Sequence, residues 1–171
     1  MERHQALSFK LHLLTSRLDR AADRILQAEE GVSYSRFLAL FMVSELDGAT
    51  QRALARRLGV TEPSVSRMTA SLVAAGHLDA SPEPAGGNRR QLRLTPEGDG
   101  LVNRCTKLLE GRLTALVESS GIDYAEYDRH TSLLLTALDA DSRQPVPSNR
   151  SDHIDAASEA GLWSQSEVRP R

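Results

Sequence analysis

Residues 61–76 read TEPSVSRMTASLVAAG, and this stretch decides the fold. Thr61 is placed to cap a helix, and Pro63 is tolerated in a first helical turn because its missing N–H would be unpaired there anyway. Val65, Met68 and Leu72 fall on one face at helical spacing, with Thr69 beside them at the edge of the stripe. Gly76 stops the helix. Upstream, Thr50 is placed to cap a shorter helix whose Ala53, Leu54 and Leu58 turn inward, and Gly59 suits a left-handed residue at its end. Two short helices joined by a glycine-containing turn make a helix-turn-helix.

The second helix of such a pair fits the major groove of a duplex, where each base pair shows a distinct donor and acceptor pattern. With Val65, Met68 and Leu72 inward, the outward residues are Glu62, Pro63, Ser64, Ser66, Arg67 and Ala70. Arg67 suits bidentate contact to a guanine, and Ser64 and Ser66 are short groups able to reach bases or phosphates. Thr61 serves the helix first and a phosphate second. Glu62 is a capping acid or an acceptor for a cytosine amino group. Ala70 makes no hydrogen bond and permits close approach.

His77–Ala80 predicts a short strand, and Pro82, Pro84, Gly86 and Gly87 predict a loop or hairpin tip. Gln91–Thr95 predicts a second strand with Leu92 and Leu94 on one face. A hairpin directly after a helix-turn-helix is a wing. Its Arg89 and Arg90, beside Gly86, Gly87 and Asn88, suit the narrow minor groove. Between Thr50 and Thr95 stand seven arginines (52, 56, 57, 67, 89, 90, 93) against Glu62, Asp79 and Glu83, a local +4 within a chain of net charge −2. Singly, each arginine also reads as part of a solvated face; as a set they are the footprint of a polyanion.

Outside this block the chain reads as helices. Leu7, Leu11, Leu14, Leu18, Ala21 and Ile25 repeat at spacings of four and three, a coiled-coil-like seam that packs on the chain's own core or on a partner subunit. Gly31 ends that helix, and Ser33 caps a central core helix through Phe37, Leu38, Leu40, Phe41, Val43 and Leu46. Thr95-Pro96-Glu97 starts a long helix with Leu101, Val102, Cys105, Leu108, Leu109, Leu113, Leu116 and Val117 as its apolar positions. Asp123 and Glu126 begin a last one through Leu133, Leu134, Leu135 and Leu138. From Asp141 the sequence turns polar and aperiodic, and a largely disordered tail is expected over 141–171.

Composition excludes several classes. The chain has 171 residues, 40% of them hydrophobic but only 4% aromatic, so its core is built mainly from Leu, Val and Ala. One cysteine rules out an internal disulfide, no secretory leader pattern opens the chain, and no apolar run approaches membrane-spanning length. A cytoplasmic protein without membrane association is expected. The five histidines lack ligand spacing, and there is no phosphate loop or nucleophile elbow, so neither a metal, a cofactor nor an enzyme is expected. Cys105 reads as a buried inert thiol.

The segments GATQRALARRLGVTEPSVSRMTASLVAAGHL and NRRQLRLTPEG, in this order, resemble the MarR family of bacterial transcriptional regulators, the resemblance running from Leu7 to Ala140. It implies a mainly α fold with a small β-wing. Residues 1–30 and 99–140 would be dimerisation helices, and 31–98 the winged helix-turn-helix. It also implies a homodimer reading a pseudo-palindromic operator in double-stranded DNA. The contacts would come from Thr61, Glu62, Pro63, Ser64, Ser66, Arg67, Arg89 and Arg90. Three departures concern the wing: Asn88 stands where an Asp is usual, Ala80 and Ser81 where an Arg often ends the first strand, and the last strand is about two residues short. Family members often release DNA on binding a small aromatic or amphipathic effector; here Phe9, Leu13, Phe37 and Phe41 would draw around it, against the plainer reading that they only pack the core. Two other functions fit the same residues: a winged-helix protein-interaction module that ignores DNA, and a thiol-based redox regulator working through Cys105.

Overall fold

The computed structural model describes residues 6–46, 49–82 and 90–141. In chain order these form helices α1 (Leu7–Glu30), α2 (Tyr34–Glu45), α3 (Gln51–Leu58) and α4 (Glu62–Ala74), strands β1 (Leu78–Pro82) and β2 (Arg90–Leu94), and helices α5 (Pro96–Ser119) and α6 (Tyr124–Asp141). The strands pair antiparallel. The fold is mainly helical with a two-stranded wing, as the sequence led us to expect. The chain divides into two units, Met1–Tyr124 and Ala125–Arg171.

The first unit is organised around α2. Phe37, Ala39, Leu40 and Val43 of that helix are buried against Leu26 of α1, Leu54 and Ala55 of α3, Val65 and Leu72 of α4, Leu78 and Leu92 of the sheet, and Leu101, Val102 and Cys105 of α5. Each such leucine contributes roughly 1.5–3 kcal/mol by leaving water. Entry into α2 is fixed locally. Gly31 takes φ 67° to turn the chain out of α1, and Ser33 Oγ accepts from the Arg36 amide at 3.4 Å. A second cap comes from a distance: the Tyr34 amide donates to Asp23 Oδ1 at 2.9 Å.

The seam foreseen on α1 is only half covered. Leu18, Ala21 and Ile25 are half-buried, whereas Leu7, Leu11 and Leu14 are exposed. The one fully buried residue of α1 is Leu26, off that seam, which belongs to the core cluster around α2.

The hairpin pairs Leu78 with Leu94, Ala80 with Leu92 and Pro82 with Arg90. Two sequence expectations are corrected here. The first strand runs on through Pro82 rather than ending at Ala80, and β2 starts at Arg90 rather than Gln91. A two-stranded sheet leaves each strand one open edge, where a missing N–H is tolerated. Residues 83–89, which hold the expected tip with Gly86, Gly87, Asn88 and Arg89, lie outside the described residues, as does the expected tail beyond Asp141. β2 is also fastened on its other side: the Leu92 amide donates to Ala49 O at 2.7 Å, and Thr50 bridges Gln91.

Thr95 joins wing to α5. Its hydroxyl accepts from the Gly98 amide at 3.0 Å and donates to Gly76 O at 2.7 Å, while its own amide donates to His77 O at 3.2 Å. Along α5, Leu101, Val102, Cys105 and Val117 are buried and Leu116 is exposed. In the second unit, α6 exposes Leu133, Leu134, Leu135 and Leu138.

Candidate nucleic-acid interface

α4 is anchored through one face. Val65 and Leu72 are fully buried, and between them lies Thr69, the deepest polar side chain among the described residues, at 1% exposure. The sequence put Met68 on this face and Thr69 at its edge; the structure reverses them, with Met68 only partly buried. A buried hydroxyl is stable where it is satisfied. Thr69 Oγ1 donates to Ser66 O at 3.1 Å and accepts from Gln51 Nε2 at 3.0 Å, so a polar bridge crosses from α3 to the back of α4.

The opposite side of α4 is open. Thr61, Glu62, Pro63, Ser66 and Arg67 are exposed, and Ser64 is half-buried. Thr61 occupies the N-cap position but its side chain does not cap: Thr61 Oγ1 hydrogen-bonds Ser64 Oγ at 2.9 Å instead. A hydroxyl one turn along competes successfully with the backbone amide. Glu62 sits in the first turn, where a carboxylate is favoured by the positive helix end.

Between α3, α4 and the hairpin the surface is concave, a cleft of about 990 Å³. Glu62, Ser66 and Ala70 face it from α4, Arg52 and Arg56 from α3, and Arg90 from β2. Of the sequence-derived contacts, the structure therefore brings Glu62, Ser66 and Arg90 together in this cleft. Thr61 at the N-cap, and Pro63, Ser64 and Arg67 on the first two turns of the same helix, lie outside its lining. Arg89 lies outside the described residues. Arg52 and Arg56 were counted for charge but not as site residues. Their signal was present in the sequence: they stand four apart on an eight-residue helix whose other face carries Leu54 and Ala55. Among the described residues, Arg52, Arg56, Arg57, Arg67 and Arg90 enter no ion pair; Arg104 does, with Glu30 at 3.0 Å. Among the described residues the guanidinium groups around α4 are thus in no salt bridge, and Glu62 is the one carboxylate in the cleft lining against Arg52, Arg56 and Arg90.

A second, apolar cleft of about 620 Å³ lies between α1, α2 and α5. Phe37 and Phe41 line it together with Tyr34, Leu38 and Met42 of α2, Leu18, Ala22 and Ile25 of α1, and Leu109 and Leu113 of α5. Phe9 and Leu13 are not in its lining; α1 extends past the cleft before reaching them, and Phe9 is half exposed. Burial, and then the charge of Asp19, raise the pKa of the Tyr34 phenol.

Cys105 is fully buried. Burial, with Glu30 adding to it and Arg104 opposing, pushes its thiol up to about 11. A thiol held in its neutral form is a poor nucleophile. No group of three or more His, Cys, Asp or Glu is placed to hold a metal among the described residues, and no described helix is long and apolar enough to cross a membrane.

Comparison with known proteins agrees with this architecture. Residues 30–91 match the sequence model of the MarR family. Wild-type MarR from E. coli, in its apo form, superposes with a TM-score of 0.69 at 21% identity, over 80% of this chain and 99% of that one. A MarR/EmrR family transcriptional regulator from Acinetobacter sp. ADP1 does so with 0.68 at 15% identity, over 84% and 100%. The S. aureus MepR–DNA complex gives 0.64 at 21% identity, over 80% and 98%. No curated protein matches the chain. The resemblance read from the sequence is therefore shown, by sequence for residues 30–91 and by fold for about four-fifths of the chain.

Proposed function

We propose that the MarR resemblance extends to activity, and that this chain is a homodimeric, sequence-specific DNA-binding transcriptional regulator, a repressor released by a small aromatic or amphipathic effector. The observation that carries the reading is the division of α4: Val65, Thr69 and Leu72 hold it to the core while Ser66 and Arg67 are exposed beside arginines that form no ion pair among the described residues. MepR, one of the fold's neighbours, is seen in complex with DNA.

In this reading α4 enters the major groove. Arg67 and Ser66 read base edges, Arg52 and Arg56 hold phosphates, and Arg89 and Arg90 on the wing reach the flanking minor groove. Residues 31–98 form the DNA-binding part. Residues 1–30 and 99–140 form the dimer, which covers the exposed Leu7, Leu11 and Leu14 of α1 and the leucines of α6. A two-fold axis then sets the two α4 helices on half-sites one helical turn apart, roughly 34–36 Å. An effector in the apolar cleft, at the junction of α1 and α5 with α2, favours a spacing of the two helices that no longer fits. The protein acts in the cytoplasm.

Selection of bound duplexes from a random pool tests this directly. An enriched motif with two-fold symmetry is expected, and a pool that stays random through repeated rounds refutes the assignment.

A further inference from the structure

The cleft between α1, α2 and α5 has a charge as well as a volume. Its α2 wall is aromatic: Tyr34 and Phe37 have centroids 6.1 Å apart, and Phe37 and Phe41 5.9 Å. Three residues with charged side chains stand in its lining, Asp19 from α1 and Glu110 and Arg112 from α5. Two carboxylates against one guanidinium leave it at −1. Glu110 accepts a hydrogen bond from the Tyr124 hydroxyl, which donates to Oε2 at 2.7 Å. Asp19 has no hydrogen bond or ion pair among the described residues, and its field reaches the phenol of Tyr34. Arg112 is two residues from Glu110, about 160° around the helix axis, so the two bound the cleft on opposite edges.

We propose that this cleft binds an aromatic cation, its rings against Phe37 and Phe41 and its positive centre beside Asp19 and Tyr34. The inference rests on the effector reading above and specifies the ligand's charge. An aromatic cation meets an unpaired carboxylate and aromatic ring faces, both of which attract positive charge. An aromatic anion of the same shape meets one guanidinium and two carboxylates that repel it. The volume, about 620 Å³, suits a ligand of three or four rings.

Tetraphenylphosphonium and tetraphenylborate, near-identical in shape and opposite in charge, provide the test by calorimetric titration of the full chain. The phosphonium is expected to bind at least about ten-fold more tightly. Asp19→Asn, at an exposed position, should weaken the phosphonium about three- to five-fold without weakening the neutral probe N-phenyl-1-naphthylamine. Ala22→Phe, which fills the cleft, should abolish binding of both probes. Tighter borate binding, or an unchanged phosphonium affinity in Asp19→Asn, overturns the charge assignment and leaves the effector reading standing. Absence of any binding by all three probes, or binding indifferent to Ala22→Phe, overturns both.

Discussion

Gly98, in the first turn of α5, backs directly onto the carbonyl of His77, so that a β-carbon at residue 98 would fall upon that oxygen. The same oxygen receives the Thr95 amide, so it cannot retreat without breaking the junction of wing and helix. Two residues on, a β-carbon at Gly100 would meet only Arg104 Nη1, at 3.5 Å. Gly98→Ala should therefore destabilise the protein by about 1–3 kcal/mol, the cost of overpacking. Gly100→Ala should be neutral or stabilising by roughly 0.5–1 kcal/mol through helix propensity. Urea denaturation of both variants gives the comparison, and like effects would mean that α5 can shift away from His77 freely.

Arg67 stands exposed on α4 outside the cleft, one residue from Ser66, which faces it. Arg67→Ala should weaken binding to a selected operator by about 1–3 kcal/mol and relax the preference at one base pair. Fluorescence anisotropy with the operator and its single-base variants measures both. Unchanged affinity would place the recognition face elsewhere on the helix.

Arg52 and Arg56 are assigned to phosphates, which carry no sequence information. Replacing both with Gln should weaken all duplexes alike and reduce the slope of log affinity against log salt by about 1–2, near the 0.9 expected per phosphate contact. A slope that is flat in the parent protein would favour a protein-interaction role for the winged helix over DNA binding.

Thr69 ties α4 to α3 through Gln51 and is almost wholly buried. Thr69→Val keeps the shape but removes both hydrogen bonds, at an expected cost of about 1–2 kcal/mol. Because the bridge sets how α4 crosses α3, operator affinity should fall by more than the fraction unfolded explains. A variant that loses stability but keeps full affinity when folded would deny Thr69 this positioning role.

Cys105 should remain a thiol at neutral pH and react with a disulfide reagent only as fast as the protein unfolds. Its ordinary value of 9.0 is raised to about 11 in the folded chain, so ionisation opposes folding. The contribution is intact below pH 9 and is lost as pH climbs toward 11, on the order of 2–3 kcal/mol at 1.36 kcal/mol per pH unit. Cys105→Ala should lack that alkaline loss. Rapid modification of the native protein would instead revive a redox role.

Local chemistry explains what was legible in the sequence. The turns at Gly31 and Gly59, the caps at Ser33, Thr50 and Thr95, and the inward Val65, Leu72 and Leu92 depend on neighbours within a few residues. Most of what the sequence hides depends on distant partners. Thr69 is buried because Gln51, eighteen residues earlier, meets it. Asp23 caps a helix that starts eleven residues later. Thr61 was read as a cap because nothing in a linear pattern ranks the Ser64 hydroxyl above a backbone amide. The stripe on α1 was visible, but the surface that would cover Leu7 and Leu11 is not within the first unit, so periodicity alone could not choose between core and partner.

The lashing of Ala49 and Thr50 to Leu92 and Gln91 has a practical corollary. Residues 49–95 close upon themselves: the strand that ends the hairpin is stitched to the loop that begins the helix pair. Taken together with α2, on which its leucines pack, the block makes a transplantable cassette. Exchanged whole between relatives, it should carry its sequence preference with it, whereas grafting α4 by itself would seat a foreign helix in a cradle cut for another.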